Sequence, residues 1–164
     1  PQPVDLVVLD APATGHGMSL LQAPQLLSEV IRQGPFGEMG AELAEFMADT
    51  RRSGIVVVTS AEEMPVDEAL ELVAALDARL HRAPDLMVVN GLYPPLPPLP
   101  PNAAAGGDDP TLELWRRRRR LNEEERDRLV AAWPGPRLEV PLLPLDRGPA
   151  LVDAIVRRFE EALS

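Results

Sequence analysis

The sequence predicts an α/β fold, a parallel sheet with helices on both faces, and three observations lead there. Four short apolar runs alternate with longer segments of helical periodicity. The runs are mostly apolar rather than alternating, broken only by Asp5 and Glu139, as strands covered on both faces are. The 164 residues, 45% hydrophobic and 26% charged, have an ordinary globular balance and enough length for a real core.

Residues 4–9 are apolar apart from Asp5 and end at Asp10. They read as a strand buried on both faces and central in the sheet. Residues 11–17 form a small-residue turn. Residues 18–33 read as a helix with Leu20, Leu21, Leu27, Val30 and Ile31 apolar, stopped by Gly34-Pro35. A second helical stretch, 36–52, carries Met39, Leu43, Phe46 and Met47. Residues 55–58 are the next buried strand, entered through Gly54. Pro65 suits a first helical turn, and Val66, Ala69, Leu70, Val73, Leu76 and Leu80 follow at helical spacing, so 65–82 is a helix. Residues 86–89 are a strand running into Asn90-Gly91.

Residues 94–101 read PPLPPLPP, which neither a helix nor a central strand accepts. The Pro-rich stretch 92–110 is read as an exposed loop, partly polyproline II. An SH3-type ligand is the sharper reading of it, although such motifs are common in loops. Residues 111–133 form a long charged helix, 138–142 a last strand, and 149–163 a final amphipathic helix with Val152, Ile155, Val156, Phe159 and Leu163 along its seam. The expected order is β, α, α, β, α, β, α, β, α, with no internal repeat.

Composition excludes several chemistries. There is no cysteine, hence no disulfide, thiolate zinc site, iron–sulfur cluster or cysteine nucleophile. Two histidines, His16 and His81, are too few for a histidine-rich metal site. All 16 basic residues are arginine. Without lysine there is no Schiff-base chemistry and no complete P-loop G-x-x-x-x-G-K-[ST] in this chain. The formal charge of −10 disfavours a nucleic-acid partner. The one basic run, 116–120, precedes Glu123, Glu124 and Glu125. It reads as a solvated helix face with i,i+4 ion pairs, the alternative being a contact to phosphate or an acidic partner. No apolar run is long enough to span a membrane, and no signal peptide opens the chain. The chain begins at Pro1 almost directly on the first predicted strand, which suggests a piece of a longer protein.

In open parallel sheets ligands bind beyond the carboxyl ends of the strands. The candidate segments there are 10–16, 60–64, 90–91 and 144–148. Asp10, after an apolar run, has the arrangement that holds Mg²⁺ at a phosphate site, usually through water; many strands also end in Asp as a cap or turn residue. Gly15-His16-Gly17 opens a helix after a strand, but the third glycine of a dinucleotide fingerprint falls on Leu20. These glycines suit a moving loop or a backbone approach to phosphate.

Residues 8–16, VLDAPATGH, continued by residues 18–21 and Pro24, resemble switch II of the ArsA-type ATPases. These are the arsenite-pump and tail-anchored-protein-targeting enzymes, within the dimeric branch of P-loop ATPases. The family pattern D-T-A-P-T-G-H-T-L-R is met at Asp10, Thr14, Gly15 and His16 and departed from at Ala11, Pro12 and Ala13. Residues 57–66, VVTSAEEMPV, resemble the family's V-x-x-P-E-E-M-x-V segment. Residues 88–92, VVNGL, resemble its V-V-N strand end, and Leu142-Leu143-Pro144 with the last helix resembles its C-terminus. The family's P-loop and switch I aspartate are not in this chain, so residues 1–164 resemble the C-terminal part of such an ATPase domain.

The resemblance implies a P-loop NTPase type of Rossmann-like sheet, here an incomplete domain, with ATP and Mg²⁺ as ligands. By resemblance, Asp10 contacts Mg²⁺, Gly15 and His16 sense the γ-phosphate, Asn90 recognises adenine, and Pro144, Leu145 and Asp146 flank the base. Asp10, Gly15 and His16 are then the catalytic set. The resemblance also implies a cytoplasmic, homodimeric parent that hydrolyses ATP to drive anion or metalloid export, or targeting of a membrane-protein client. This chain alone is expected to be weak or inactive. The lack of cysteine argues against a metalloid site here. The stretch 36–47, with Met39, Phe46 and Met47, is the one candidate for a client groove, or else ordinary helix packing. Two other readings compete: a non-catalytic interaction module on the same fold, and an unrelated Rossmann-like domain, which the failed glycine fingerprint disfavours.

Overall fold

The computed structural model describes residues 4–11, 15–31, 33–96 and 109–163. Its elements are α1 (Gly15–Val30), α2 (Pro35–Ala48), β1 (Val56–Ser60), α3 (Glu63–Leu80), β2 (Leu86–Leu92), α4 (Pro110–Ala132), β3 (Arg137–Pro141) and α5 (Pro149–Leu163). The fold is α/β. Its sheet has three strands in the order β1-β2-β3, both pairings parallel. The chain divides into two compact units, Pro1–Gly54 with Leu72–Ala83, and Ile55–Glu71 with Pro84–Ser164.

The second unit holds the sheet. Val58 pairs with Val88 and Val88 with Leu138, so these residues share one face. On that face Val88, Leu138 and Val140 are buried, with Leu86 and the α5 residues Ile155 and Phe159 packed against them. The alternate residues Val57, Met87 and Val89 are buried on the other face. There the buried Thr59 donates its hydroxyl to the Pro65 carbonyl at the start of α3 (2.9 Å). Asp109 caps α4 by accepting from the Thr111 amide (2.8 Å), with Pro110 in the first turn. Arg128 of α4 bonds Asp67 of α3 (2.7 Å) and Glu125 (2.7 Å), which raises its pKa above the ordinary value.

The first unit contains an α1–α2 hairpin. A side chain at Gly40 of α2 would meet Leu27 and Ser28 of α1 at 3.1–3.2 Å, so the close crossing needs glycine there. The buried Arg82 guanidinium, just beyond α3, donates to the Met47 carbonyl and to the Ser53 hydroxyl and carbonyl, tying that helix end to the segment after α2.

Three expectations are corrected. The buried strand expected at 55–58 is β1, with Val56 and Val58 exposed, because the helix that covers this face packs on β2 and β3. Residues 4–9 form no strand, and Val4, Leu6, Val7, Val8 and Leu9 are exposed, Val8 to 82%. A run apolar on both faces becomes a strand only where a ladder receives it, and no ladder among the described residues includes it. On α5, Ile155 and Phe159 pack as expected while Val152 and Val156 are exposed. Predicted helix and strand limits shift by a few residues elsewhere. The largest shifts are in α1, which begins at Gly15, and α2, which ends at Ala48. Beyond Leu96, most of the Pro-rich loop lies outside the described residues.

Candidate functional site

Parallel pairing brings the ends of three strands to one edge. Ser60 is in register with Asn90, and Asn90 with Val140. Asn90 therefore lies inside β2 rather than in a turn after it. Its side chain is exposed and makes no hydrogen bond among the described residues. The register slips between Asn90 and Leu92 in a β-bulge, with Gly91 at φ 73°, a conformation that favours glycine. Beyond β3 the Leu142 amide donates to the Leu92 carbonyl (2.7 Å), so the chain leading to Pro144, Leu145 and Asp146 starts beside the Asn90 bulge. Those three residues are exposed.

Helix α4 grips the chain just beyond Asn90. The buried Asn122 donates Nδ2–H to the Ala61 carbonyl (2.7 Å) and accepts from the Tyr93 amide at Oδ1 (3.0 Å). Arg119 donates to the Tyr93 carbonyl (2.8 Å) and pairs with Glu123. Trp115 donates Nε1–H to the Pro94 carbonyl (3.0 Å), and its ring meets that of Tyr93 edge to face at 4.9 Å. Sequence reasoning missed these residues. The signal available was spacing: Trp115, Asn122 and Leu129 recur every seven residues on an otherwise charged helix, which puts them on one stripe.

Asp10 belongs to the first unit, in residues 4–11, where it is exposed and follows no strand. Pro12, Ala13 and Thr14 lie outside the described residues, as does the side chain of His16; the backbone of Gly15 and His16 opens α1. Among the described residues no three metal-ligating side chains converge. Mg²⁺ at a nucleotide is held through one or two carboxylates, its other ligands being water and phosphate, and Asp10 carries a carboxylate of that kind. Asn90 suits adenine, because a primary amide offers the donor and acceptor that the adenine edge requires. A shallow depression of about 270 Å³, lined by Leu114, Arg117, Arg118 and Leu121 on α4, includes none of the predicted site residues. Among the described residues no helix is long and apolar enough to cross a membrane.

No family model matches the sequence, and no curated protein matches it.

Proposed function

We propose that this chain is the adenine-reading part of an ArsA-type switch ATPase. Asn90 hydrogen-bonds the adenine edge, and Pro144, Leu145 and Asp146 flank the base. Separately, and on the resemblance of residues 8–16 alone, Asp10 is the Mg²⁺ ligand, through water, and Gly15 and His16 sense the γ-phosphate. Mg²⁺, when bound, neutralises charge on the phosphates; the contribution of these residues is positioning. The intact parent is then a cytoplasmic homodimer that uses ATP hydrolysis to drive anion or metalloid export or to target a membrane-protein client.

The observation that supports this reading is the exposed Asn90 side-chain amide, unpartnered among the described residues, at the carboxyl edge of a parallel sheet. The chain toward residues 144–146 is bonded to the same bulge. The second reading, a non-catalytic interaction module, has its own support: no lysine is available for phosphate, and apolar Phe36, Met39 and Leu43 are exposed on α2.

Calorimetric titration of Mg-ATP into the chain tests the proposal. Each hydrogen bond to the base contributes about 0.5–1.5 kcal/mol, and about −4 kcal/mol corresponds to millimolar affinity. The expected dissociation constant is therefore weaker than about 100 μM, with no turnover above background. Micromolar binding, or Mg²⁺-dependent hydrolysis abolished by Asp10→Ala, contradicts the view that this chain lacks the phosphate cradle. No binding at any concentration favours the interaction module.

A further inference from the structure

We infer that Asn122, together with Arg119, is a positioning pair that holds the Asn90 bulge in the geometry for reading adenine. The inference rests on the adenine role proposed for Asn90. Gly91 is a point of conformational freedom directly after Asn90, and the β2–β3 register breaks there. An amide carried on such a bulge discriminates between bases only if the chain on both sides is held. Upstream the β2 ladder holds it. Downstream, α4 does so: Asn122 takes the Tyr93 amide and Arg119 the Tyr93 carbonyl, so both peptide groups of one residue are anchored to a single helix.

Asn122 does a second thing with its other end. Its Nδ2–H reaches the carbonyl of Ala61, which follows Ser60, the register partner of Asn90. One buried amide thus links the exits of β1 and β2. The donor and acceptor are both used, which explains an asparagine in the middle of a helix, where the residue is otherwise unfavourable. Aspartate in its place would still accept from Tyr93 but would face the Ala61 carbonyl with a second acceptor. Leucine or alanine would leave the buried Ala61 carbonyl and the half-buried Tyr93 amide without this partner.

The test is nuclear magnetic resonance of the full ¹⁵N-labelled chain titrated with Mg-ATP and, separately, Mg-GTP. In the wild type, the amides of Asn90, Gly91 and Leu92 and the Asn90 side chain shift with ATP. Affinity for GTP is lower by up to about tenfold, the value of one well-formed hydrogen bond. Asn122→Asp and Arg119→Ala, with unchanged circular dichroism, bring the two nucleotides to within about twofold of each other, and Arg119→Lys, which keeps a donor toward Tyr93, restores the preference. A folded Asn122→Asp or Arg119→Ala protein that keeps the wild-type preference overturns the positioning role and leaves the role of Asn90 standing. A wild type without any preference overturns both. If Asn122→Asp does not fold, Arg119→Ala decides, because Arg119 is only partly buried and its loss leaves the core intact.

Discussion

Asn90 and Asn122 carry the same amide and stand in opposite surroundings. The first is exposed with no side-chain hydrogen bond among the described residues, and the second is buried with both ends engaged. The apolar run before Asn90 marked a strand in the sequence, and that strand, β2, continues through Asn90 to Leu92. Asn122 was not legible, because its partners lie 61 and 29 residues away and nothing local points to them. Asp49 offers a separate test at this scale. Its carboxylate accepts from the side chain and then the backbone amide of Arg51, and these bonds lower its pKa below the ordinary 3.8. A carboxylate with a lowered folded pKa adds stability above its ordinary pKa and loses it as pH falls through the lowered one. Asp49→Asn should therefore melt slightly below wild type at pH 7. The gap should close only as pH drops below 3.8, as thermal melts across pH would record. The effect is small because Arg51 is exposed.

Among the elements, periodicity was a sound guide on α3 and less so around α1 and α2, where Leu20, Val30, Ile31, Met39 and Leu43 are exposed. All six seam residues named for α3 are buried or half-buried, with Val66 and Leu76 at 0% exposure. The run 86–89 became the central strand β2 because β1 and β3 flank it. The run 4–9 is equally apolar but forms no strand, since apolarity expresses a demand for cover and does not supply it. The α5 seam divided for the same reason: Ile155 and Phe159 meet β2 and β3, while Val152 and Val156 meet no cover among the described residues. The helix that grips the site is itself anchored by Leu129, 1% exposed. Leu129→Ala should cost about 2–5 kcal/mol, by the removed burial and the cavity left. Urea denaturation checks it. A loss well under 1 kcal/mol would mean that α4 is not fixed through this residue.

At the scale of the whole molecule, the α/β class and the parallel sheet followed from the alternation of apolar runs and helices. So did the collection of Ser60, Asn90 and the chain toward 144–146 at one edge, because strands that all run the same way end on the same side. The division into two units was not legible, since contact density between distant segments leaves no periodic trace. Asp10 falls in one unit and Asn90 in the other. The proposed adenine-reading residues therefore belong to the second unit, and the proposed Mg²⁺ ligand Asp10 rests on the resemblance of residues 8–16. The most direct test of the central claim is the set of intermolecular nuclear Overhauser effects between millimolar Mg-ATP and the chain. The account predicts contacts from adenine H2 and H8 to the Asn90 side chain and to residues 144–146, lost in Asn90→Ala. Contacts from the base to any other surface, or none to Asn90 at saturating nucleotide, would contradict it.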